Sequence, residues 1–362
     1  MINHAYIHIP FCKRKCHYCS FISGFNIERK SEYLSALITE IKTRYKNEKL
    51  TTIYFGGGTP SLLETEDLKR ILSCFNYDKN SEITIEINPE TVTKEKIIGI
   101  KEAGFNRISL GVQTFDNNLL TAIGRKHTEE KIYEAIEIIK NSEFNNISID
   151  LIYGLPNQTI AGFKKDINKA IKLGIQHISS YGLKIEEDSF FGKNKPSNLP
   201  DDEMQAEMFL TLCKILKENN FEHYEISNFS KKGFESNHNC AYWKNKNYYG
   251  FGLNASGYEG NIRYRNCSNF ENYLKNHNQR EEEDKLSIQE TMENEIFLAL
   301  RLNEGINILD LNQKYKINFE QKYKNIIQKY TSTNHLEIKN NHCKLTEEGI
   351  LLSNEIMSEF LD

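Results

Sequence analysis

No uninterrupted apolar stretch approaches the ~20 residues that a helix needs to cross a bilayer, so no membrane span is expected. There is no surplus of positive charge either. Lys and Arg number 46 against 50 Asp and Glu, a formal net charge of −4, and such a balance gives no basic field to attract nucleic acid or an anionic membrane. The eight cysteines do not form the dense framework of a small secreted domain. The first residues show no charged segment followed by an apolar one, the mark of a secretion signal. A reducing, cytoplasmic setting is therefore expected. At 362 residues, 39% of them hydrophobic and 27% charged, the chain can build one domain of barrel size and a smaller companion.

Three of the cysteines are not scattered. Cys12, Cys16 and Cys19 crowd into one segment behind a short β-like run, beside Lys13, Arg14 and Lys15. Thiolates at that spacing can converge on one metal centre. Zinc ordinarily takes four N or S ligands. Here His17 would face away if its neighbours face in, and His8 lies on the preceding run. A four-iron cubane held by three cysteines keeps one iron without a protein ligand, which is the open position of a catalytic metal site. The plainer alternatives are three small buried hydrophobes or a zinc knuckle. Cys74, Cys213, Cys267 and Cys343 stand singly and read as structural.

Along the chain, short β-like runs alternate with amphipathic stretches. Strands are expected at 5–9, 52–55, 83–87, 107–112, 146–153 and 177–181, and helices at 30–46, 66–75, 94–103, 128–139, 159–173 and 201–219. Tyr33, Leu34, Leu37, Ile38 and Ile41 show the helical spacing. Thr128 is placed to cap a helix start, and Gly104 to close a helix end. Six βα units without hairpins imply parallel strands with right-handed crossovers. Six fall short of eight, so the fold class is α/β, a partial open barrel with a lateral mouth for a large substrate. In such folds sites gather at the C-terminal ends of strands.

Residues 275–285 end in Glu281, Glu282, Glu283 and Asp284 and read as a solvated linker. Beyond them, helices are expected at 287–302, 308–315, 319–330 and 346–360, with a hairpin at 336–345 turning at Asn340 and Asn341. Helices with a β-wing suggest a mostly helical, winged-helix-like module. Its 8 Lys and Arg against 12 Asp and Glu over 287–362 argue against a phosphate-binding face. It reads as a packing or partner-binding module. Three units are expected: a core over 1–230, a connecting segment over 231–285 and the terminal module over 286–362.

Polar residues stand where a site is expected. Gly56, Gly57 and Gly58, followed by Thr59 and Pro60, join a strand to a helix, and glycines there let a ligand approach bare N–H groups. The run lacks the lysine of a Walker loop and the spacing of a dinucleotide fingerprint. Glu86 lies within a strand between Ile85 and Ile87, where a carboxylate is costly unless paired or bound. Gln113, Arg125 and Asp150 follow at successive strand ends. Singly each reads as a satisfied side chain. On one edge they form a cradle, carboxylates for hydroxyls or an amine and Arg125 for a carboxylate.

The run from Tyr6 through Phe11 into C-x3-C-x2-C resembles the radical S-adenosylmethionine (SAM) superfamily. So do the Gly56–Ser61 run, Gly111-Val-Gln-Thr-Phe115 and Asp150-Leu-Ile-Tyr-Gly-Leu-Pro156. More narrowly they resemble the anaerobic coproporphyrinogen III oxidase group, over essentially the whole chain. The resemblance implies a [4Fe-4S] cluster on Cys12, Cys16 and Cys19, with SAM chelating the open iron. It also implies SAM contacts from Tyr6, Tyr18, Gly57, Gly58, Thr59, Glu86, Gln113, Arg125 and Asp150. Some of those contacts belong to a second SAM molecule in the oxidases.

The group divides at one position. The oxidases carry a fourth cysteine two residues beyond the third, where this chain has Phe21. That ending is similar to the HemW-type haem chaperones. So is Ser236-Asn-His-Asn-Cys-Ala-Tyr-Trp243, which contains the His-Asn-x-x-Tyr-Trp haem signature and implies haem ligation by His238, with Cys240 the weaker candidate. His is a usual axial ligand, and Trp243, Tyr242, Tyr248 and Tyr249 offer a flat aromatic surface. Without the motif these residues read more simply as a core aromatic cluster with a buried, satisfied histidine. The resemblance implies a protein that carries haem to haem proteins such as respiratory enzymes, compatible with peripheral membrane contact and with a homodimer, and no nucleic acid. The alternative is oxygen-independent oxidative decarboxylation of coproporphyrinogen III. A third reading is another radical enzyme with a bulky substrate.

Overall fold

The computed structural model describes residues 1–24 and 27–361. Its main sheet has nine strands: β1 (His4–Ile9), β2 (Lys49–Gly57), β3 (Asn76–Ile87), β4 (Arg107–Gln113), β5 (Ile147–Tyr153), β6 (His177–Gly182), β7 (Glu222–Glu225), β8 (Asn228–Ser230) and β9 (Tyr249–Phe251). They lie in the order β7-β8-β6-β5-β4-β3-β2-β1-β9, and the sheet does not close. The six expected strands are β1 to β6, all parallel. Three more extend the sheet. The β7–β8 hairpin pairs antiparallel with β6, and β9 runs parallel beside β1. These strands are only three or four residues long, too short to show alternation in sequence.

A parallel sheet covered on both faces normally has near-continuous apolar strands. Here every second position is polar. Ile108, Leu110 and Val112 are fully buried in β4, while Arg107, Ser109, Gly111 and Gln113, on the other face, line a cavity. The same phase continues through β2, β3 and β5, where Ile53 and Phe55, Ile83 and Ile85, and Ile149 and Leu151 pack outward. Each such side chain contributes about 1.5–3 kcal/mol by leaving water. The outward face is thus the core, and the inward face is free to be chemical.

Residues 275–285 are not a solvated linker. Arg280–Lys285 is β12, paired antiparallel to β11 (Ile262–Asn266), which pairs in turn with β10 (Ser256–Glu259). The charges of 281–285 are exposed as expected, but they decorate an edge strand, where charge discourages further pairing. The buried Glu40 ties this small sheet to the core. Its carboxylate accepts from Gly252 N at 2.8 Å, Asn266 Nδ2 at 2.8 Å and Tyr273 Oη at 2.7 Å, and it pairs with Arg44 at 2.5 Å.

A second apolar core runs from Met292 to Phe360. Its first helix, Ile288–Ala299, starts with a capping box between Ser287 and Glu290. The expected hairpin is β14 (Leu336–Lys339) and β15 (His342–Leu345), joined by the two-residue β13 (Ile306–Asn307). Two expected helices are broken. Backbone at Tyr323 and Leu352 leaves helical dihedrals, giving Phe319–Lys322 with Lys324–Ser332, and Glu347–Leu351 with Ser353–Ser358. Among the described residues no helix is long and apolar enough to cross a membrane.

Candidate functional site

The inward face of the sheet encloses a cavity of about 430 Å³ at the C-terminal ends of the strands. Of the residues expected from sequence to bind the cluster and SAM, Cys12, Cys16, Cys19, Tyr18, Gly57, Gly58, Thr59, Glu86, Gln113, Arg125 and Asp150 all line it. Tyr6 lies behind the wall, where its hydroxyl donates to His8 Nδ1 at 3.0 Å. His8 Nε2 donates to Ile22 O at 3.1 Å, and burial lowers the ring's pKa to about 4, so this neutral histidine fastens the cysteine loop to β1.

The loop is shaped by close approaches. Gly58 N donates to Ile9 O at 2.8 Å and Thr59 N to Phe11 O at 2.8 Å. A Cβ on Gly58 would stand 2.5 Å from Phe11 O and 3.0 Å from Cys12 Sγ. One on Gly57, whose φ is +113°, would stand 2.5 Å from the His8 ring. His17 is turned away from the cysteines, as the spacing suggested: its Nδ1 donates to Ala122 O at 2.9 Å, and its ring packs on Phe190 at 4.5 Å.

The donor chemistry fits an iron–sulfur cluster. Three half-buried free thiols face one cavity. Burial raises the Cys16 and Cys19 thiols above their ordinary value, Arg125 opposes the rise at Cys16, and the Phe21 backbone opposes it at Cys19. Among the described residues no three His, Cys, Asp or Glu side chains draw close enough to share a single metal ion. A cubane is larger than an ion and spans thiols set further apart.

Two carboxylates and a guanidinium share the cavity with the loop. Glu86 accepts from Tyr54 Oη at 2.9 Å and Gly57 N at 3.1 Å. Burial, then the charge of Asp150, pushes its carboxyl up to about 7. Burial also raises Asp150, which accepts from Ser109 Oγ at 3.1 Å. Arg125 donates to Asn88 Oδ1 at 2.6 Å and to Tyr18 Oη at 2.9 Å, and its buried Nε has no partner. Gln113 sits at a register shift between β4 and β5 with φ +69°, a conformation that costs a non-glycine residue about 1–2 kcal/mol and is tolerated where a site demands it. The following turn is pinned by Asp166, which accepts from Thr114 Oγ1 at 2.6 Å and Phe115 N at 3.0 Å.

His238 is elsewhere. It belongs to the helix Asn237–Trp243, which Ser236 caps through Asn239 N. Glu82 accepts from Asn237 N and His238 N, both at 3.0 Å. The His238 ring stacks on Tyr54 at 5.1 Å and is 1% exposed. Its Nδ1 bonds Thr52 Oγ1 and its Nε2 bonds Tyr242 Oη, each at 2.7 Å. Burial puts its pKa well below 6.5, so it is neutral. In this conformation neither ring nitrogen of His238, the residue expected to ligate haem, is free. Cys240 faces a separate cleft near the C-terminal module, and Asn239 lines the main cavity. Trp243 packs under the Arg301 guanidinium at 4.4 Å.

Sequence reasoning missed Tyr54, Asn88, Arg107 and Ser109 in the lining. The signal was present: polar residues at alternate positions of a parallel strand mark an inward face.

Residues 6–170 match the radical SAM superfamily, and residues 286–352 match the HemN C-terminal domain. The heme chaperone HemW of Lactococcus lactis subsp. lactis (strain IL1403) is 39% identical over 99% of this chain and 97% of its own. The chain belongs to the HemW family of radical SAM proteins. The HemW of Bacillus subtilis (strain 168) is 36% identical, over 99% of this chain and 98% of its own. Among solved structures, the Escherichia coli coproporphyrinogen III oxidase HemN superposes with a TM-score of 0.88 over 99% of this chain and 90% of that one, at 20% identity, a likeness of fold. Membership in the radical SAM superfamily brings a [4Fe-4S] cluster and SAM as cofactors.

Proposed function

We propose that this protein is a haem chaperone that holds a [4Fe-4S] cluster, SAM and haem, and delivers haem to haem proteins such as respiratory enzymes. The observation that carries the reading is the cavity mouth. Phe21, 64% exposed, stands beside the cysteine loop where the oxidase pattern has a fourth thiol, and Asn239 of the His-Asn-x-x-Tyr-Trp helix lines the same cavity. The curated relatives named above, called heme chaperones, support it.

In this reading Cys12, Cys16 and Cys19 hold the cluster. Tyr18, Gly57, Gly58, Thr59, Glu86, Gln113, Arg125 and Asp150 hold SAM, with Tyr6 bracing them through His8. The bound cluster and SAM supply one-electron chemistry. The protein's residues orient the amine and carboxylate, keep Glu86 able to take or give a proton near neutral pH, and screen the site from water. The working units are 1–230, 231–285 and 286–362, in a cytoplasmic protein that meets its recipients at the membrane surface and self-associates.

Haem ligation by His238 requires the motif helix to release Thr52 or Tyr242. The test uses cluster-loaded protein under anaerobic conditions, offered haem and coproporphyrinogen III separately. Haem binding without conversion is expected, lost in His238→Ala and faster in Tyr242→Phe, which frees Nε2. Conversion to protoporphyrinogen IX would sink the chaperone reading. An unchanged haem spectrum in His238→Ala would remove His238 as the ligand and leave the rest standing.

A further inference from the structure

Arg107 opens β4 and is among the largest fully buried side chains of the protein, 2% exposed. It lines the cavity from the end opposite the cysteine loop. Its buried Nε has no hydrogen-bond partner, and its guanidinium is in no hydrogen bond or ion pair among the described residues. The groups within its field are Tyr54, Asp150, His177, Tyr224 and His238. The two histidines are neutral, each with both ring nitrogens bonded. Asp150, the carboxylate among them, is engaged by Ser109 and does not pair with Arg107. Thr84, beside Arg107 in register and fully buried, has an equally unpartnered hydroxyl.

A buried guanidinium with no counterion is costly and persists where something else supplies the anion. Its planar fork matches a carboxylate, which it can hold through two parallel hydrogen bonds. Arg125 stands at the other end of the cavity, beside Tyr18 of the cysteine loop. Two guanidinium groups without an ion-pair partner among the described residues share the cavity with Glu86 and Asp150 and suit more carboxylate than one amino-acid headgroup carries.

We propose that Arg107 is the receptor for a ligand carboxylate at the floor of the cavity and that, on the haem reading above, on which this identification rests, the carboxylate is a haem propionate. The carboxylate of SAM is the other source of the same chemistry.

The experiment compares cluster-loaded wild type, Arg107→Met and Arg107→Lys in three arms. The first titrates haem and haem dimethyl ester, whose propionates are blocked. The second titrates SAM and decarboxylated SAM. The third measures melting without ligand. The expected result is a loss of haem affinity of about tenfold or more in Arg107→Met, with ester affinity unchanged and an intermediate value in Arg107→Lys. Ligand-free Arg107→Met should melt higher than wild type, because it removes an unpaired buried charge. A residue with a merely structural role would give the opposite shift. If SAM affinity falls while that of decarboxylated SAM does not, the carboxylate site stands and its source is SAM. Wild type that binds no haem would fail the haem reading, and the SAM arm then decides. Unchanged affinity for both haem and SAM in Arg107→Met overturns the assignment.

Discussion

Glu86 makes the stability of the ligand-free protein depend on pH in a direction opposite to the usual carboxylate. Its carboxyl is held by Tyr54 and Gly57 in a cavity that raises it from 4.5 to about 7, first through burial and then through Asp150. The folded state therefore binds this proton more tightly than the unfolded chain does. The advantage is fully present below 4.5 and is lost as pH rises through 7. Each tenfold change in proton affinity is worth about 1.4 kcal/mol, so the loss is at most about 3.5 kcal/mol, reduced because the side chain is half-buried and cavity water screens it. Glu86→Gln keeps an acceptor for Tyr54 and Gly57 but does not titrate. At a melting shift on the order of 2 °C per kcal/mol, wild type should fall about 5 °C further than Glu86→Gln between pH 5 and pH 8. Differential scanning calorimetry of cluster-loaded, SAM-free protein measures this. Saturating SAM, whose sulfonium and ammonium favour the carboxylate, should flatten the wild-type curve and leave that of the variant unmoved. Parallel melting profiles for the two proteins from pH 5 to pH 8 would refute the reasoning.

Two further outcomes concern the cysteine loop. Cys16→Ala should lose the broad visible absorption of an iron–sulfur cluster, and iron and sulfide analysis at wild-type levels would contradict the assignment of Cys12, Cys16 and Cys19. Gly58→Ala should lower iron content while the chain still folds, because its Cβ would press on Phe11 O and Cys12 Sγ and displace the loop at a cost of about 1–3 kcal/mol. Wild-type iron in folded Gly58→Ala would show that the loop yields more easily than its contacts imply.

The six parallel strands were legible because each is followed by a helix with apolar residues at helical spacing, some of them capped, as at Thr128 and Thr159, whose hydroxyls accept from Lys131 N and Gly162 N. The short β7, β8 and β9 were not, since three or four residues carry no period. β12 was hidden by its charge, because an exposed edge strand and a solvated linker have the same composition. Within the site, the residues that the family resemblance implied fall around one cavity, with Tyr6 just behind it. Arg107 escaped notice because a single arginine at a strand start looks like a surface residue. Its inward direction follows only from its phase with Ser109, Gly111 and Gln113. His238 shows what a motif leaves open. A motif names a residue, while the hydrogen bonds of Thr52 and Tyr242 decide whether its nitrogens are free.

Tyr54 connects the two halves of the proposed function. One face of its ring stacks on His238, and its hydroxyl donates to Glu86. Freeing a His238 nitrogen breaks a buried hydrogen bond, leaves the Tyr242 hydroxyl unpaired or Thr52 with His4 alone, and disturbs the stack on Tyr54, together a cost of about 1–3 kcal/mol that the iron–imidazole bond must exceed. The same movement unsettles the phenol that holds Glu86. A cationic ligand that favours ionised Glu86 strengthens the Tyr54 hydrogen bond, because a charged acceptor binds a donor more tightly than a neutral one. It thereby steadies the surface on which His238 rests. By linkage, whatever SAM does to the helix position, haem must do in return to SAM affinity. On the proposed reading, occupancy of the cysteine-loop cavity and capture of haem at His238 are therefore coupled through one tyrosine, and Tyr54→Phe, which keeps the stack and removes the hydroxyl, should weaken that coupling while sparing the fold.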